Sequence, residues 1–481
     1  MINKKMFEKI YEFFRVIGEL RYIIPLLKYQ WPAPDDNASL AHTFEDTVKE
    51  FGDKNFIYFE DEEWTYSQTN EAANILANKL LKEGVSHSDR VVLFMENRPD
   101  YIISILALNK IGAIGVLINT SLTGSPLIHC INSSDSKKCI VGAELTPSLE
   151  GVLNEINIKE KSDIYWVKDG DNGICPEWAT NLETLLDKSQ KDNLHETNNV
   201  TAKDTAFYIF TSGTTGVPKA ALFPNTKIVA ASANITKAGY RMTDKDCLYN
   251  CLPLYHSTGL MLGLCACVHV GASTFIRRKF SASAFWKEAN KYNTTAFVYV
   301  GELCRYLSFQ DPCDEEKNNP ISKMVGNGLR PDLWDCFRNR FKVDRICEIY
   351  GASEGNGMFM NLLNKDQTIG MTNVDLALLE YDVAEDKLKK DESGKYIEVK
   401  EHQPGLALVK IGPNAVYNGY TDKKASEEKV IKNVFEEGDR WFNTGDLIKT
   451  MDVGFAIGRK HYQFVDRVGD TFRWKSENVS T

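Results

Sequence analysis

Residues 206–219 read Ala-Phe-Tyr-Ile-Phe-Thr-Ser-Gly-Thr-Thr-Gly-Val-Pro-Lys. An aromatic and β-branched run passes without a break into two glycines and four hydroxyls, and a lysine closes the segment. Gly213 and Gly216 let the backbone turn successive amides toward one point, which makes an anion-binding nest. Thr211, Ser212, Thr214 and Thr215 add hydroxyl donors, and Lys219 adds a mobile positive charge. This set suits the polyphosphate of a nucleotide. A Ser/Thr/Gly surface loop is the plainer explanation, but such loops seldom carry all these groups directly behind a buried strand. No Gly-x-x-x-x-Gly-Lys-Ser/Thr stands in the chain, so the segment is not the phosphate loop of a Walker-type ATPase.

Two further stretches offer nucleotide chemistry. In Ile349-Tyr-Gly-Ala-Ser-Glu354, Glu354 is a hard oxygen ligand of the kind magnesium uses beside substrate phosphates. Tyr350 supplies an aromatic face that can stack on adenine. By itself, Ser353-Glu354 after a glycine is more often a helix N-cap. Asn443-Thr-Gly-Asp446 holds a carboxylate in a tight turn, suited to accept from both ribose hydroxyls, although Gly-Asp turns are common without function. Gly326-Asn327-Gly328 and Gly355-Asn-Gly357 both lack a third glycine, which argues against a dinucleotide oxidoreductase.

The elements that must position these groups alternate in type. Glu71 to Glu83 and Asp100 to Gly112 read as helices. Arg90 to Met95, Lys138 to Val141, Ala206 to Phe210, Thr274 to Ile276 and Thr295 to Val300 read as buried strands. Strands alternating with helices predict an α/β fold with stacked, largely parallel sheets. Residues 380–445 change character, with a charged hairpin-like stretch at Asp391 to Lys395 and an apolar one at Leu406 to Ile411, and predict a small β-rich subdomain. At 481 residues the chain needs about three domains or subdomains, and 43% hydrophobic with 26% charged residues is ordinary for a globular protein. A net charge of -9 argues against a nucleic-acid partner, with Arg277-Arg278-Lys279 as a local exception. The 11 cysteines form no framework, which fits reduced thiols in the cytoplasm. Cys247, Cys251, Cys265 and Cys267 lie near His256 and His269 but contain no Cys-x-x-Cys pair, and read as buried thiols.

The phosphate segment resembles that of the adenylate-forming, or AMP-binding, superfamily of acyl-CoA synthetases, peptide-synthetase adenylation domains and luciferases. The usual ending is Pro-Lys-Gly; Pro218-Lys219-Ala220 resembles the branch of fatty acid transport proteins and very-long-chain acyl-CoA synthetases. Val300-Gly301-Glu-Leu-Cys-Arg-Tyr306, Gly326 to Arg330 and Gly469 to Thr481 resemble that branch too, and the likeness runs from about Trp64 to the last residue. It implies a large adenylate-forming domain over residues 36–465 and activation of a long- or very-long-chain fatty acid by ATP and magnesium for transfer to coenzyme A. It implies roles for Lys219, Ser353 (a threonine in the family) and Glu354 at the phosphates and magnesium, and places Gly326, Asn327 and Gly328 beside adenine. Asp446 and Arg467 fall at the ribose. His256, in Leu252-Pro-Leu-Tyr-His256, and Gly301 fall at the acyl substrate, with the apolar Leu260 to Val270 able to line a tunnel. A lone histidine on an apolar stretch is also often just a core residue.

The two ends carry expectations of their own. Phe7, Ile10, Tyr11, Phe14, Ile17 and Leu20 recur at helical spacing among Lys4, Lys5, Lys9 and Arg15. Residues 1–35 thus read as an amphipathic segment, with residues 1–28 either on a membrane surface or packed on the protein's own body. Residues 466–481 resemble the start of a C-terminal domain, where Gly469 stands in place of the usual hinge aspartate and Asp470 follows it. The family's carboxylate-contacting lysine lies beyond Thr481, so no residue takes that role, and weak turnover is expected. Competing functions are a nucleotide- or lipid-binding remnant and a ligase for a bile or aryl acid.

Overall fold

The computed structural model describes residues 4–158, 160–170, 173–212, 218–352, 355, 357–412, 415–417, 419–468, 472–474 and 477–479. The helix read from Glu71 begins earlier, at Tyr66, and runs to Lys82. Thr65 explains the earlier start. Its hydroxyl accepts from the Gln68 amide while the Gln68 side chain returns to the Thr65 amide, a capping box that satisfies two end groups. The next helix, Pro99–Lys110, opens with proline at its first turn, where no amide bond is lost. Almost every residue of it is buried, so it behaves as a helix enclosed on all sides.

Among the described residues, two large sheets carry the α/β body. One has seven strands in the order Thr180–Asn181, Ile164–Val167, Lys138–Gly142, Arg90–Phe94, Ile114–Leu117, Thr205–Ser212, Pro218–Pro224. Only its last pair is antiparallel. The other has eight strands in the order Met358–Met360, Arg345–Gly351, Lys323–Asn327, Ala296–Val300, Cys247–Asn250, Ser273–Ile276, Asn55–Phe59, Glu62–Thr65. It is parallel except at its two edges. Near-continuous apolar strands such as Ala296–Val300 suit a sheet covered on both faces. The fold class is therefore mixed α/β with largely parallel sheets. A separate five-stranded antiparallel sheet is built from Leu376–Leu379, Gly405–Lys410, Arg440–Met451, Val430–Lys432 and His461–Arg467. Beside it, the carboxylate of Asp391 accepts the amides of Ser393 and Lys395 and closes the turn read from the sequence.

Cys247, Cys251, Cys265 and Cys267 are buried, and burial pushes the first three thiols up to about 12. The stretch Leu260 to Val270 forms a π-helical turn, Thr258–Leu264, followed by helix Cys265–Val268, and most of it joins the main core. The basic triplet is not a free cationic patch. Arg277 pairs with Glu288, Arg278 with Glu60 and Asp169, and Lys279 with Glu96.

The N-terminal helix Lys4–Leu27 lies on the body through one face. Val16 and Ile23 pack with Leu363 and Met371. Glu19 is buried against Arg345 at 2.8 Å and also meets Arg241, while Glu12 reaches Lys365. Ile10, Tyr11, Phe14, Ile17 and Ile24 remain exposed. Among the described residues no helix is long and apolar enough to cross a membrane.

Candidate active site

Strands Thr205–Ser212 and Pro218–Pro224 form a hairpin whose connection is the phosphate segment. Lys219 does not hang from a loop. It lies in the second strand, opposite Thr211, with Pro218 as the first residue of an edge strand, where its missing amide costs no ladder bond. Ala220 is buried, so the residue that replaces the family's usual glycine points inward. From the five-stranded side, Tyr420 bridges Ala221, the Thr421 amide bonds the Ala220 carbonyl, and the Lys219 Nζ lies 5.9 Å from the Tyr420 ring centre. The His129 ring meets the Pro218 carbonyl at 3.0 Å. Gly213, Thr214, Thr215 and Gly216 lie outside the described residues, as do Ser353, Glu354 and the hinge positions Gly469 and Asp470.

The second group assembles where the eight-stranded and five-stranded sheets meet. Asp446 is 6% exposed, and its Oδ2 accepts the Tyr350 hydroxyl at 2.5 Å. Arg467 pairs with it in register, with Nε 3.7 Å from Asp446 Oδ1. Asp446 lies not in the turn read from the sequence but at an irregularity within strand Arg440–Met451, which is fixed locally. Asn443 Oδ1 accepts the Gly445 amide, Thr444 Oγ1 accepts the Asp446 amide and donates to the Ala407 carbonyl, and Gly445 takes φ +76°, which favours glycine. The Tyr350 ring packs edge-on against Phe359 at 5.3 Å. Burial, and then the Asp446 charge, push the Tyr350 phenol far above its usual value.

The third group is the end of strand Lys323–Asn327. Gly326 pairs with Tyr299 on one side and Glu348 on the other. A Cβ on Gly326 would sit 2.1 Å from the Tyr299 carbonyl oxygen, and one on Gly301 would sit 1.7 Å from that of Gly328. Glycine is needed at both places because backbone approaches backbone. Gly301 and the Gly326-Asn327-Gly328 turn, singled out separately in the sequence, are thus neighbours, and Asn327 and Gly328 are exposed.

His256 is exposed, although the atoms crowded around its ring push its imidazole below the usual value. The turn that follows it, Thr258–Leu264, packs on strand Ala296–Val300, which leads to Gly301. The reading of the sequence passed over Asn97. Its amide donates to the carbonyls of Leu252 and Arg277, and its oxygen accepts the Leu254 amide, so it ties the His256 segment to the seven-stranded sheet. The signal was available: a polar residue just beyond the carboxyl end of buried strand Arg90–Phe94, where open α/β sheets bind ligands. Glu348 was missed as well, hidden between the apolar neighbours Cys347 and Ile349.

With this geometry in place, the comparisons with known proteins are decisive. Residues 44–420 match the AMP-binding enzyme family. The chain belongs to that family. It is 38% identical to the medium/long-chain-fatty-acid–CoA ligase FadD6 of Mycobacterium tuberculosis over 93% of this chain and 72% of that one. It is 34% identical to long-chain fatty acid transport protein 6 of Homo sapiens over 98% of this chain and 75% of that one. Among solved structures, the anthranilate CoA ligase AuaEII in complex with anthranoyl-AMP aligns with a TM-score of 0.74 at 18% identity, over 95% of this chain and 82% of that one. A long-chain-fatty-acid–CoA ligase (FadD1) of Archaeoglobus fulgidus aligns with a TM-score of 0.71 at 20% identity, over 92% and 87%. At such identities the structural likeness speaks for the adenylate-forming fold.

Proposed function

We propose that this chain is an AMP-forming acid–thiol ligase that activates a long- or very-long-chain fatty acid with ATP and passes the acyl group to coenzyme A. The observation that carries the reading is Asp446, a buried carboxylate at an irregularity inside strand Arg440–Met451 that holds the Tyr350 hydroxyl and lies in register with Arg467, as a ribose site requires. The relatives supply the acyl class. In the first half-reaction the fatty acid carboxylate attacks the α-phosphorus of ATP and expels pyrophosphate; in the second, the coenzyme A thiol attacks the acyl-adenylate and releases AMP. Neither step requires a covalent bond to the protein, so the chain contributes position and charge. Lys219, with Thr211, Ser212 and the Gly213 to Gly216 segment, offsets phosphate charge. Ser353 adds a hydroxyl there. The Gly326 to Gly328 turn borders adenine, and Gly301 and His256 face the acyl substrate.

Among the described residues no group of three or more acidic, histidine or cysteine side chains forms a metal cage. Proteins commonly hold magnesium through one or two carboxylates plus substrate phosphates. Glu354 is the residue that would hold it, and the ion would offset charge on the phosphates.

The test is incubation with magnesium, ATP and labelled oleate, with and without coenzyme A, followed by mass spectrometry. Oleoyl-CoA and AMP are expected only when coenzyme A is present. Acyl-adenylate without thioester in both arms would confine the activity to the first half-reaction. No product from oleate, but turnover of an aryl or bile acid, would overturn the acyl class.

Helix Lys4–Leu27 supports a second part of this reading, contact with a membrane surface. Its free face presents Ile10, Tyr11, Phe14, Ile17 and Ile24 beside Lys9 and Arg21, with Lys28 just past its end, an apolar stripe with basic flanks suited to anionic lipid. Cosedimentation with phosphatidylserine vesicles is expected, and Phe14→Glu should abolish it. Equal binding by both proteins would remove this face from consideration.

A further inference from the structure

Glu348 lies in the middle of strand Arg345–Gly351 and is 3% exposed. Among the described residues no lysine or arginine pairs with it. Instead one carboxylate oxygen accepts the amides of Gly328 and Leu329 (the latter at 3.1 Å), and the other accepts the Tyr299 hydroxyl. The donors come from the carboxyl ends of the next two parallel strands, since Tyr299 pairs with Gly326 and Gly326 with Glu348. Burial pushes the carboxyl up to about 8, against the pull of its three donors. An unpaired acid in such a place is costly unless its hydrogen bonds serve a purpose.

Its position shows what the purpose is. Side chains two apart on a strand share a face, so Glu348 and Tyr350 lie on one side of the same strand. Tyr350 reaches Asp446, while Glu348 reaches the underside of the glycine turn. Gly328 takes φ +83°, and its carbonyl lies so near Gly301 that no side chain fits between them. The turn is therefore held from below by the Glu348 carboxyl and from the side by Gly301. It is exposed only on its remaining face.

We propose that Glu348 is a positioning residue that fixes the Gly326–Leu329 turn in the geometry that receives the adenine ring, without touching the nucleotide itself. This rests on the reading of that turn as the adenine border. A base is recognised by short, directional contacts, and these weaken steeply when a turn shifts. The phosphates are recognised by charge, which falls off slowly with distance. Loss of Glu348 should therefore weaken adenine binding and spare phosphate binding.

The experiment measures binding of ATP and of inorganic triphosphate, both with magnesium, by calorimetry on the full chain, its Glu348→Ala form and its Glu348→Gln form. Glutamine can accept the two amides through its oxygen and donate to Tyr299 through its nitrogen. Glu348→Ala is expected to weaken ATP about thirtyfold while triphosphate stays within about twofold, and Glu348→Gln to restore ATP binding to within about threefold. Equal weakening of both ligands in Glu348→Ala, unchanged ATP binding, or a glutamine form as weak as alanine would each overturn the proposal. Photolabelling of the wild-type chain with 8-azido-ATP separates the two readings. Label on the 326–330 peptide with no effect of Glu348→Ala defeats the proposal alone, whereas label elsewhere defeats the adenine border.

Discussion

The two sheets of the body hold their halves of the proposed nucleotide site by different means. At the strand ends of the eight-stranded sheet, backbone meets backbone through Gly301 and Gly326, and a buried carboxyl ties three strands together. At the edge of the seven-stranded sheet, Thr211 and Lys219 sit on a hairpin held by its own ladder and by a strap from Tyr420 and Thr421. The difference follows the chemistry each half is proposed to perform. Adenine and ribose need donors and acceptors at fixed distance and angle, whereas phosphate charge tolerates displacement. The strand ends should set which nucleotide binds. The hairpin should set how fast it reacts.

Lys219→Ala is the strongest way to break this division. Removing a positioned charge should lower kcat by about 10²- to 10³-fold, with a smaller change in KM for ATP. Steady-state kinetics of oleoyl-CoA formation measure both. An effect confined to KM would place Lys219 with the strand ends and collapse the distinction. Gly301→Ala should act on the opposite half. The new methyl would collide with the Gly328 carbonyl, and neither group is the end of a flexible side chain. A cost of about 3 kcal/mol in stability and a loss of ATP affinity are expected. Gly454→Ala, where nothing lies within 4 Å, is the control and should melt with the wild type.

The legibility of the sequence follows the same division. The hairpin half was readable because its chemistry lies in one contiguous run, from Ala206 to Lys219, behind an apolar strand. What the run did not reveal was that Lys219 belongs to a strand, because proline before it reads as a break unless the strand is known to lie at an edge. The strand-end half was readable only as separate fragments: parallel pairing gathers Gly301, Gly326 to Gly328 and Tyr350, antiparallel pairing joins Asp446 to Arg467, and the Tyr350 hydroxyl links the two groups. Glu348 was invisible for that reason, since its three partners lie 19 or more residues away. The helix at Tyr66 was missed by five residues for a local reason, because its capping box precedes the apolar periodicity that marks the rest.

A pH experiment sharpens the comparison from outside the site. Helix Lys4–Leu27 clasps the strand-end half, with Glu19 on Arg345 at the root of the Glu348 strand and Glu12 on Lys365. Burial alone would push the Glu12 carboxyl up, but Arg15 and Lys365 overcome it and bring it down to about 2. A folded value below the unfolded one, near 4.5, means this clasp is fully present above pH 4.5 and is lost as pH falls toward 2. Screened by solvent at this partly exposed site, it contributes on the order of 1 kcal/mol. Hydrogen-exchange protection of residues 4–27, taken relative to the intrinsic rate at each pH, should fall between pH 5 and pH 3 in the wild type. In Glu12→Gln it should be low and flat across that range.

The smallest effect expected belongs to the strap. Tyr420 offers its ring to Lys219 at 5.9 Å and its backbone to Ala221, and its side chain also packs in the main core, which leucine largely keeps. A cation–aromatic contact at a partly exposed site contributes about 0.5–1 kcal/mol. Tyr420→Leu should therefore lower kcat about two- to fivefold, with Tyr420→Phe closer to the wild type because the ring is kept. KM for ATP should not move in either variant, because the backbone bridge and the strand ends are untouched. If Tyr420→Leu instead raised KM for ATP and left kcat alone, the strap would be reporting to the strand ends. The two halves would then be one mechanically coupled site, and the separate trends expected of Lys219 and Gly301 would have to be read as a single one.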